Sequence, residues 1–362
     1  MKLSVYVEVK DRGWEAVAFD LLDAPAGLTP EQISLTAFLG ERQVPRYVRS
    51  LEPISGGCHL VIDPIYYNGD FRMEIAGTQA VFSKKDVPLD AVHVKGLEKF
   101  EARREGDVIY RLYSPQASGP RPLLLFLHGG GECGEDNVLQ LTGTLGALRL
   151  AEKWPEMYVM APQAPAGSLT MQENFEVMKK RGNPFRVEIG MTPFSLKGER
   201  GWNRDYLGKV ADIIRRMIAE GKVDGRRVYI IGMSMGGGGV INAVSVAPDL
   251  YAAALPICPS MNGESYAQLL QWPQVPVWIT TAYMDHQHGR HAYILNACNK
   301  LWGEGRRDVK FTMYLPEELE QYGIGSTPGL TDKELDAENH NSWILTLHNE
   351  KGTLDWMISH VK

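Results

Sequence analysis

Arg227-Val228-Tyr229-Ile230-Ile231-Gly232-Met233-Ser234-Met235-Gly236-Gly237-Gly238-Gly239-Val240 is the stretch on which the reading of this chain turns. Val228 to Ile231 is a short apolar run rich in β-branched residues, the pattern of a buried parallel strand. Gly232-Met233-Ser234-Met235-Gly236 then fits G-x-S-x-G, which sets a serine on a sharp strand-to-helix turn with its hydroxyl above the sheet. Glycines flank the serine because a side chain there would strike the neighbouring strand or helix. Val240-Ile241-Asn242-Ala243-Val244 continues as a helix, whose N-terminal N–H groups and positive dipole end face the serine. A bare G-x-S-x-G is often only a Gly/Ser turn. The strand before it and the helix after it point to a nucleophile.

Outward from this segment, strands and helices alternate, the pattern of a mostly parallel sheet flanked by helices. Val108–Tyr113 and Leu123-Leu124-Leu125-Phe126-Leu127 read as strands, the second ending at His128-Gly129-Gly130-Gly131. Tyr158-Val159-Met160-Ala161 is another, ending at Pro162-Gln163-Ala164-Pro165. Tyr206 to Ala219 has helical period, with Leu207, Val210, Ile213, Ile214 and Met217 on one face. Ala252–Pro256, Val275–Thr280 and Val309–Tyr314 supply three more strands, and Thr353 to Val361 reads as a closing helix. Ser168–Arg204 and Pro316–Asn339 are long and do not fit the alternation, and such loops are commonly functional lids or linkers. Phe175, Phe185, Phe194 and Trp202 give the first insertion aromatic surface for an acyl chain or aryl ring, unless they merely pin it to the domain.

Residues 1–97 differ. Short alternating stretches (Ser4–Val9, Ala16–Phe19, Ser34–Phe38, Cys58–Ile62, Phe71–Ile75) are separated by turn-rich pieces such as Tyr67-Asn68-Gly69-Asp70, which predicts a small all-β sandwich. Paired carboxylates, histidine clusters and glycine loops are missing from this part of the sequence. It reads as a structural or interaction module, joined through residues 84–100 to a catalytic domain at 98–362.

A serine needs a histidine to take its proton, and the histidine needs a carboxylate to hold its tautomer. In this architecture they follow in the order Ser, acid, His, on loops after later strands. Asp285 lies just past the Val275–Thr280 strand, and His340 on the last loop before the closing helix. An Asp after a strand is often only a helix N-cap. Asp336 and Glu338 are the rival acids, too close in sequence to His340 to reach its far ring nitrogen easily. His286, His288 and His291 crowd the Asp285 loop, which a metal site or simple exposure would explain; without a matching ligand set elsewhere, no metal and no cofactor is expected. The Gly129, Gly130 and Met235 N–H groups are the expected oxyanion donors. The glycines could instead cradle phosphate, but no Lys-Ser/Thr follows at P-loop spacing. Cys133 beside this loop is a rival nucleophile without an obvious base.

The 362 residues are 44% hydrophobic and 23% charged, with net charge −6. No basic tract stands out, which argues against a nucleic-acid partner, and no apolar run approaches membrane-spanning length. The start of the sequence alternates like a strand and lacks the apolar core of a signal peptide, so a cytoplasmic location is expected. Cys58, Cys133, Cys258 and Cys298 are widely spaced and form no C-x-x-C pair, which predicts reduced, mostly buried thiols.

Leu125-Phe126-Leu127-His128-Gly129-Gly130-Gly131-Glu132-Cys133-Gly134-Glu135-Asp136-Asn137 resembles the oxyanion segment of bacterial esterases of the "predicted peptidase" or polyhydroxybutyrate-depolymerase-like family. So do Ala161-Pro162-Gln163, Gly232 to Gly237, Leu255-Pro256-Ile257-Cys258 and His340-Asn341-Ser342-Trp343. The resemblance covers about residues 100–362. It implies an α/β-hydrolase fold, a triad of Ser234, Asp285 and His340, and carboxylesterase activity on small acyl or aryl esters. In some members the esters are feruloyl or acetyl groups on plant polysaccharides. Members with an N-terminal immunoglobulin-like domain exist, some forming homo-oligomers. The chain departs from the family in Thr281-Ala282, where His-Gly is usual before the acid, and in the two long insertions, which puts the substrate in question. The rival readings are a serine peptidase on the same scaffold and a binding protein whose hydrolase domain has lost activity.

Overall fold

The computed structural model describes residues 1–39, 42–67, 69–166, 201–261, 263–283, 285, 290–326 and 328–362. The chain divides into two compact units, Met1–Lys99 with Thr142–Leu145, and Phe100–Leu141 with Gly146–Lys362.

The first unit is all β. One sheet orders its strands β5-β6-β2-β1-β9, with β1 Lys2–Lys10, β2 Gly13–Leu22, β5 Val48–Ile54, β6 Gly57–Tyr66 and β9 Val92–Val94. The other runs β4-β3-β7-β8, with β3 Ile33–Leu39, β4 Arg42–Arg46, β7 Asp70–Ile75 and β8 Val81–Ser83. All pairings are antiparallel except β1 with β9. Alternation decides which face is buried: Leu3, Val5, Val7 and Val9 of β1 point inward while their neighbours do not, as a period of two requires. Phe19 of one sheet meets Phe71 of the other at 5.0 Å between ring centroids, so the two apolar faces share one core. The five expected strands fall within β1, β2, β3, β6 and β7. Strands β4 (RQVPR) and β5 (VRSLEPI) were not expected: they are mostly exposed and carry Pro and charge, so burial leaves no alternation to read.

The second unit holds an eight-stranded sheet in the order β10-β11-β13-β12-β14-β15-β16-β17. These are β10 Phe100–Glu105, β11 Val108–Tyr113, β12 Arg121–Leu127, β13 Tyr158–Gln163, β14 Val223–Met233, β15 Ala253–Ile257, β16 Val277–Ala282 and β17 Val309–Tyr314. From β13 to β17 all neighbours are parallel, while β10 and β11 add antiparallel strands at one edge. Leu123 to Leu127 are wholly buried, because helices cover both faces of a parallel sheet. The order reverses between β12 and β14: the chain leaves β12 toward β13 and returns to pair β14 on its other side. Such a switch point opens a crevice at the strands' C-terminal ends.

Helices α1 Leu139–Thr142, α2 Gly146–Lys153, α3 Arg204–Ala219, α4 Met235–Val246, α5 Gly263–Leu270 and α6 Arg290–Gly303 come first among the described residues. Then follow α7 Pro316–Glu320, α8 Asp332–Asn339, α9 Trp343–Leu347 and α10 Thr353–Ile358. The α3 stripe of Leu207, Val210, Ile213, Ile214 and Met217 is buried as its period predicts, and Asn203 caps it by accepting the Tyr206 N–H at 2.9 Å. The closing helix is shorter than expected. The stretch Pro316–Asn339, expected to lack regular structure, contains α7 and α8. Both are capped: Glu318 accepts the Leu315 N–H at 2.9 Å, and, reciprocally, Glu334 accepts from Thr331 while Thr331 Oγ1 accepts the Glu334 N–H at 3.3 Å. The second is the S/T-x-x-E box, which satisfies end groups locally and starts a helix without a strong apolar stripe. No helix of the described residues is long and apolar enough to cross a membrane. None of the four cysteines is in a disulfide.

Candidate active site

Ser234 directly follows β14 and is the N-cap of α4, with φ +57 and ψ −118. This is a strained conformation for a non-glycine residue, held by its surroundings. Its N–H donates to Ile257 O at 2.9 Å, and its carbonyl accepts the Ser260 N–H at 2.8 Å and the Gly238 N–H at 3.2 Å. The serine turn is therefore tied to the segment leaving β15. A methyl group on Gly236 would land on the Leu127 carbonyl, and one on Gly232 on the Gly236 carbonyl. The two motif glycines are the condition for helix and strands to approach this closely.

His340 brings the other two side chains together. Its Nε2 lies 2.8 Å from Ser234 Oγ and its Nδ1 2.9 Å from Asp285 Oδ2. With the carboxylate ionised, Nδ1–H donates to Asp285, which leaves Nε2 to accept the serine proton. Asp285 is wholly buried. Its other oxygen, Oδ1, accepts from Arg290 Nε at 3.0 Å, and Arg290 is itself 2% exposed. Burial holds the His340 pKa below the ordinary imidazole value, the Arg290 charge lowers it further, and Asp285 opposes both. The imidazole thus stays neutral to lower pH than a free one. Cys258 lies near these groups, and burial pushes its thiol up to about 12, so it stays protonated.

The glycine segment after β12 faces the serine turn. A methyl on Gly129 would sit 3.7 Å from Ser234 Cβ, and one on Gly130 3.9 Å from Met235 Cβ. Met235 is the first residue of α4, where backbone N–H groups have no partner inside the helix. Gly129 and Gly130 therefore bring bare main chain close to Ser234 and Met235. The segment is anchored by His128, whose Nε2 accepts the Ala164 N–H at 2.9 Å and whose Nδ1 donates to Gly129 O at 2.7 Å. Gln163 adds a second anchor: its Nε2 donates to Glu132 O at 3.1 Å and its Oε1 accepts the Asn137 N–H at 2.7 Å. Sequence reading used His128 and Gln163 only as motif letters; a polar residue at the buried end of an apolar strand was the available signal for both.

Trp202 follows the second of the two readings of the insertion aromatics, pinning its segment to the domain. It is 1% exposed, its indole lies over Gly239, and its Nε1 donates to His128 O at 3.0 Å. It belongs to the core beneath the glycine segment rather than to an aromatic surface, because the bare Gly239 leaves room for the ring. Phe175, Phe185 and Phe194 lie outside the described residues, as do His286 and His288 and the side chain of Asp336. His291 packs its ring 5.9 Å from that of Tyr283. Glu338 uses its backbone carbonyl to accept from Asn341 at 2.8 Å. Cys133 Sγ lies 3.9 Å from Met235 Sδ, whereas Nε2 of His340 is directed at Ser234.

Among the described residues, Cys258, Asp285 and His340 place metal-ligand atoms within 4.8 Å of one another. Both Asp285 oxygens and both His340 nitrogens already have partners, and the guanidinium at Oδ1 repels a cation.

A sequence model of the prolyl oligopeptidase family matches residues 192–300. No curated protein matches the chain. Among solved structures, a thermostable esterase superposes over 100% of both chains with TM-score 0.65 at 23% identity. An esterase of Pyrobaculum calidifontis gives TM-score 0.43 at 15% identity, over 70% of this chain and 86% of that one. A dienelactone hydrolase described as putative, from Klebsiella pneumoniae subsp. pneumoniae MGH 78578, gives 0.41 at 13%, over 68% and 98%. With the first of these and the sheet order above, the second unit has the α/β-hydrolase fold, preceded by an all-β unit.

Proposed function

We propose that this chain is a serine hydrolase acting on carboxylic esters, with Ser234 as nucleophile, His340 as base and Asp285 as the acid that orients it. The hydrogen-bonded sequence Ser234 Oγ–His340–Asp285 carries the reading, with 2.8 and 2.9 Å between heavy atoms. Ser234 Oγ attacks the ester carbonyl while His340 Nε2 takes its proton. The C–O bond to the alcohol breaks as His340 returns that proton to the leaving oxygen. A water, deprotonated by the same imidazole, then cleaves the acyl-enzyme and restores Ser234. The N–H groups of Met235 and of Gly129 or Gly130 stabilise the oxyanion at the tetrahedral stages.

The substrates in this reading are small acyl or aryl esters, including feruloyl and acetyl groups on polysaccharide. The N-terminal sandwich is taken as an immunoglobulin-like module without catalytic residues, with a homo-oligomer as the assembly. The match to the prolyl oligopeptidase family model leaves peptide bonds as the second reading. Esters are preferred because an alcohol leaves more readily than an amine. The decisive experiment treats the protein with a fluorophosphonate, then compares p-nitrophenyl acetate with matched amide and peptide substrates. Stoichiometric labelling lost in Ser234→Ala, with ester turnover above amide turnover, is the expected result. Faster peptide cleavage would replace the esterase reading, and absence of labelling would end the serine hydrolase one.

A further inference from the structure

Arg290 opens α6 with its side chain 2% exposed. An arginine is almost never buried this fully unless it is paired. Its Nε donates to Asp285 Oδ1 at 3.0 Å, and its Nη1 to Ser260 Oγ at 2.9 Å and to Cys258 O at 3.3 Å. The second pair of contacts leads to the nucleophile. Ser260 donates its N–H to the Ser234 carbonyl, and the Ser234 N–H donates to Ile257, both in the segment that Arg290 grips. One rigid guanidinium thus joins the acid to the backbone that holds the serine.

We propose that Arg290 is a positioning residue for the esterase reaction, directing Asp285 Oδ2 at His340 and locking that carboxylate to the 257–260 segment that carries Ser234. The inference rests on the functional reading above. Its physical basis is that a carboxylate removed from water reverts to the neutral acid unless a cation or several donors hold it charged. A neutral Asp285 could not stabilise the imidazolium that forms when His340 takes the serine proton. A planar fork does this with fixed geometry, where an ammonium supplies a mobile point charge.

A merely structural ion pair would leave the base untouched, and this distinguishes the two roles. Around the His340 ring stand the Asp285 carboxylate, the Arg290 guanidinium, the Cys258 thiol, the Ser234 hydroxyl and the Trp343 indole, with the Ser342 hydroxyl beside Cys258. The Tyr293 phenol, beside Arg290, donates to Pro259 O at 3.0 Å. Burial raises both the thiol and the phenol, so within this set only Asp285 and Arg290 carry charge near neutrality. They act in opposite directions on the imidazole. Removing Arg290 leaves burial alone to oppose Asp285, which the imidazolium itself then holds charged, so the imidazole keeps its proton to higher pH.

The test measures kcat and KM for p-nitrophenyl acetate against pH in the full chain, for wild type, Arg290→Met and Arg290→Lys. Arg290→Met should lose about 10²-fold in kcat, the scale of a misoriented catalytic group, with KM little changed. Its acid limb should move up by roughly one pH unit, the scale set by one nearby charge. Arg290→Lys keeps the charge but not the fork, so its limb should stay in place while kcat falls about 10-fold. A folded Arg290→Met with wild-type kcat or an unmoved acid limb overturns the proposal. If that variant does not fold, Arg290→Lys decides, and wild-type kcat there overturns it. A wild type that neither turns over the ester nor reacts with a fluorophosphonate defeats the functional reading itself, which separates the two failures.

Discussion

Trp202 donates its indole N–H to the backbone carbonyl of His128 at 3.0 Å, across 74 residues of chain. That carbonyl immediately precedes Gly129, so the bond sets the course of the glycine segment from below. Trp202→Phe keeps most of the ring volume and leaves a buried carbonyl without its donor. The variant should lose about 1–3 kcal/mol of stability, read by urea denaturation, and several-fold in kcat at nearly constant KM. Unchanged kcat in a destabilised protein would confine Trp202 to the core.

Ser234→Ala should lower p-nitrophenyl ester turnover by about 10³-fold or more while melting normally. His340→Ala should be nearly as damaging, and the double variant little worse, because residues acting as one unit are not additive. A double variant much slower than either single would mean that the two side chains act separately.

Asp285→Asn should be severe for two reasons. The amide presents an N–H toward His340 and favours the wrong tautomer. It also strips Arg290 of its counter-ion in full burial, a change that costs about 3–5 kcal/mol where a buried pair is broken. Kinetics and thermal denaturation should therefore both respond. Asp336→Asn should leave turnover within a few-fold, and the reverse ranking would name Asp336 as the acid.

The pH profile follows from the lowered pKa of His340. The reactive form has the neutral imidazole, so activity falls as pH drops through the free-enzyme pKa. Burial and Arg290 hold that value below the ordinary one, about 6.5. The acid limb of kcat/KM should accordingly have its midpoint below about 6.5, with a plateau through neutrality. A midpoint above 7 would mean that Asp285 outweighs burial and Arg290 together.

What the sequence determined by itself was local in origin. The apolar run Val228–Ile231 and the glycines around Ser234 lie within one strand-and-loop unit, and Asp285 and His340 each sit on a loop of their own, where periodicity and turn chemistry reveal burial and backbone shape. The Thr331–Glu334 box was equally local and legible, but the acidic composition of Pro316–Asn339 concealed the helix it starts. Tertiary structure decided the rest, because it depends on contacts between distant segments. Trp202 reads as an insertion aromatic until Gly239 is seen beneath it. Arg290 draws no expectation, since no rule of composition places a guanidinium in a core. Its burial is tolerable only where the fold brings Asp285, Cys258 and Ser260 to the same point, and two of those partners come from a different strand's exit loop.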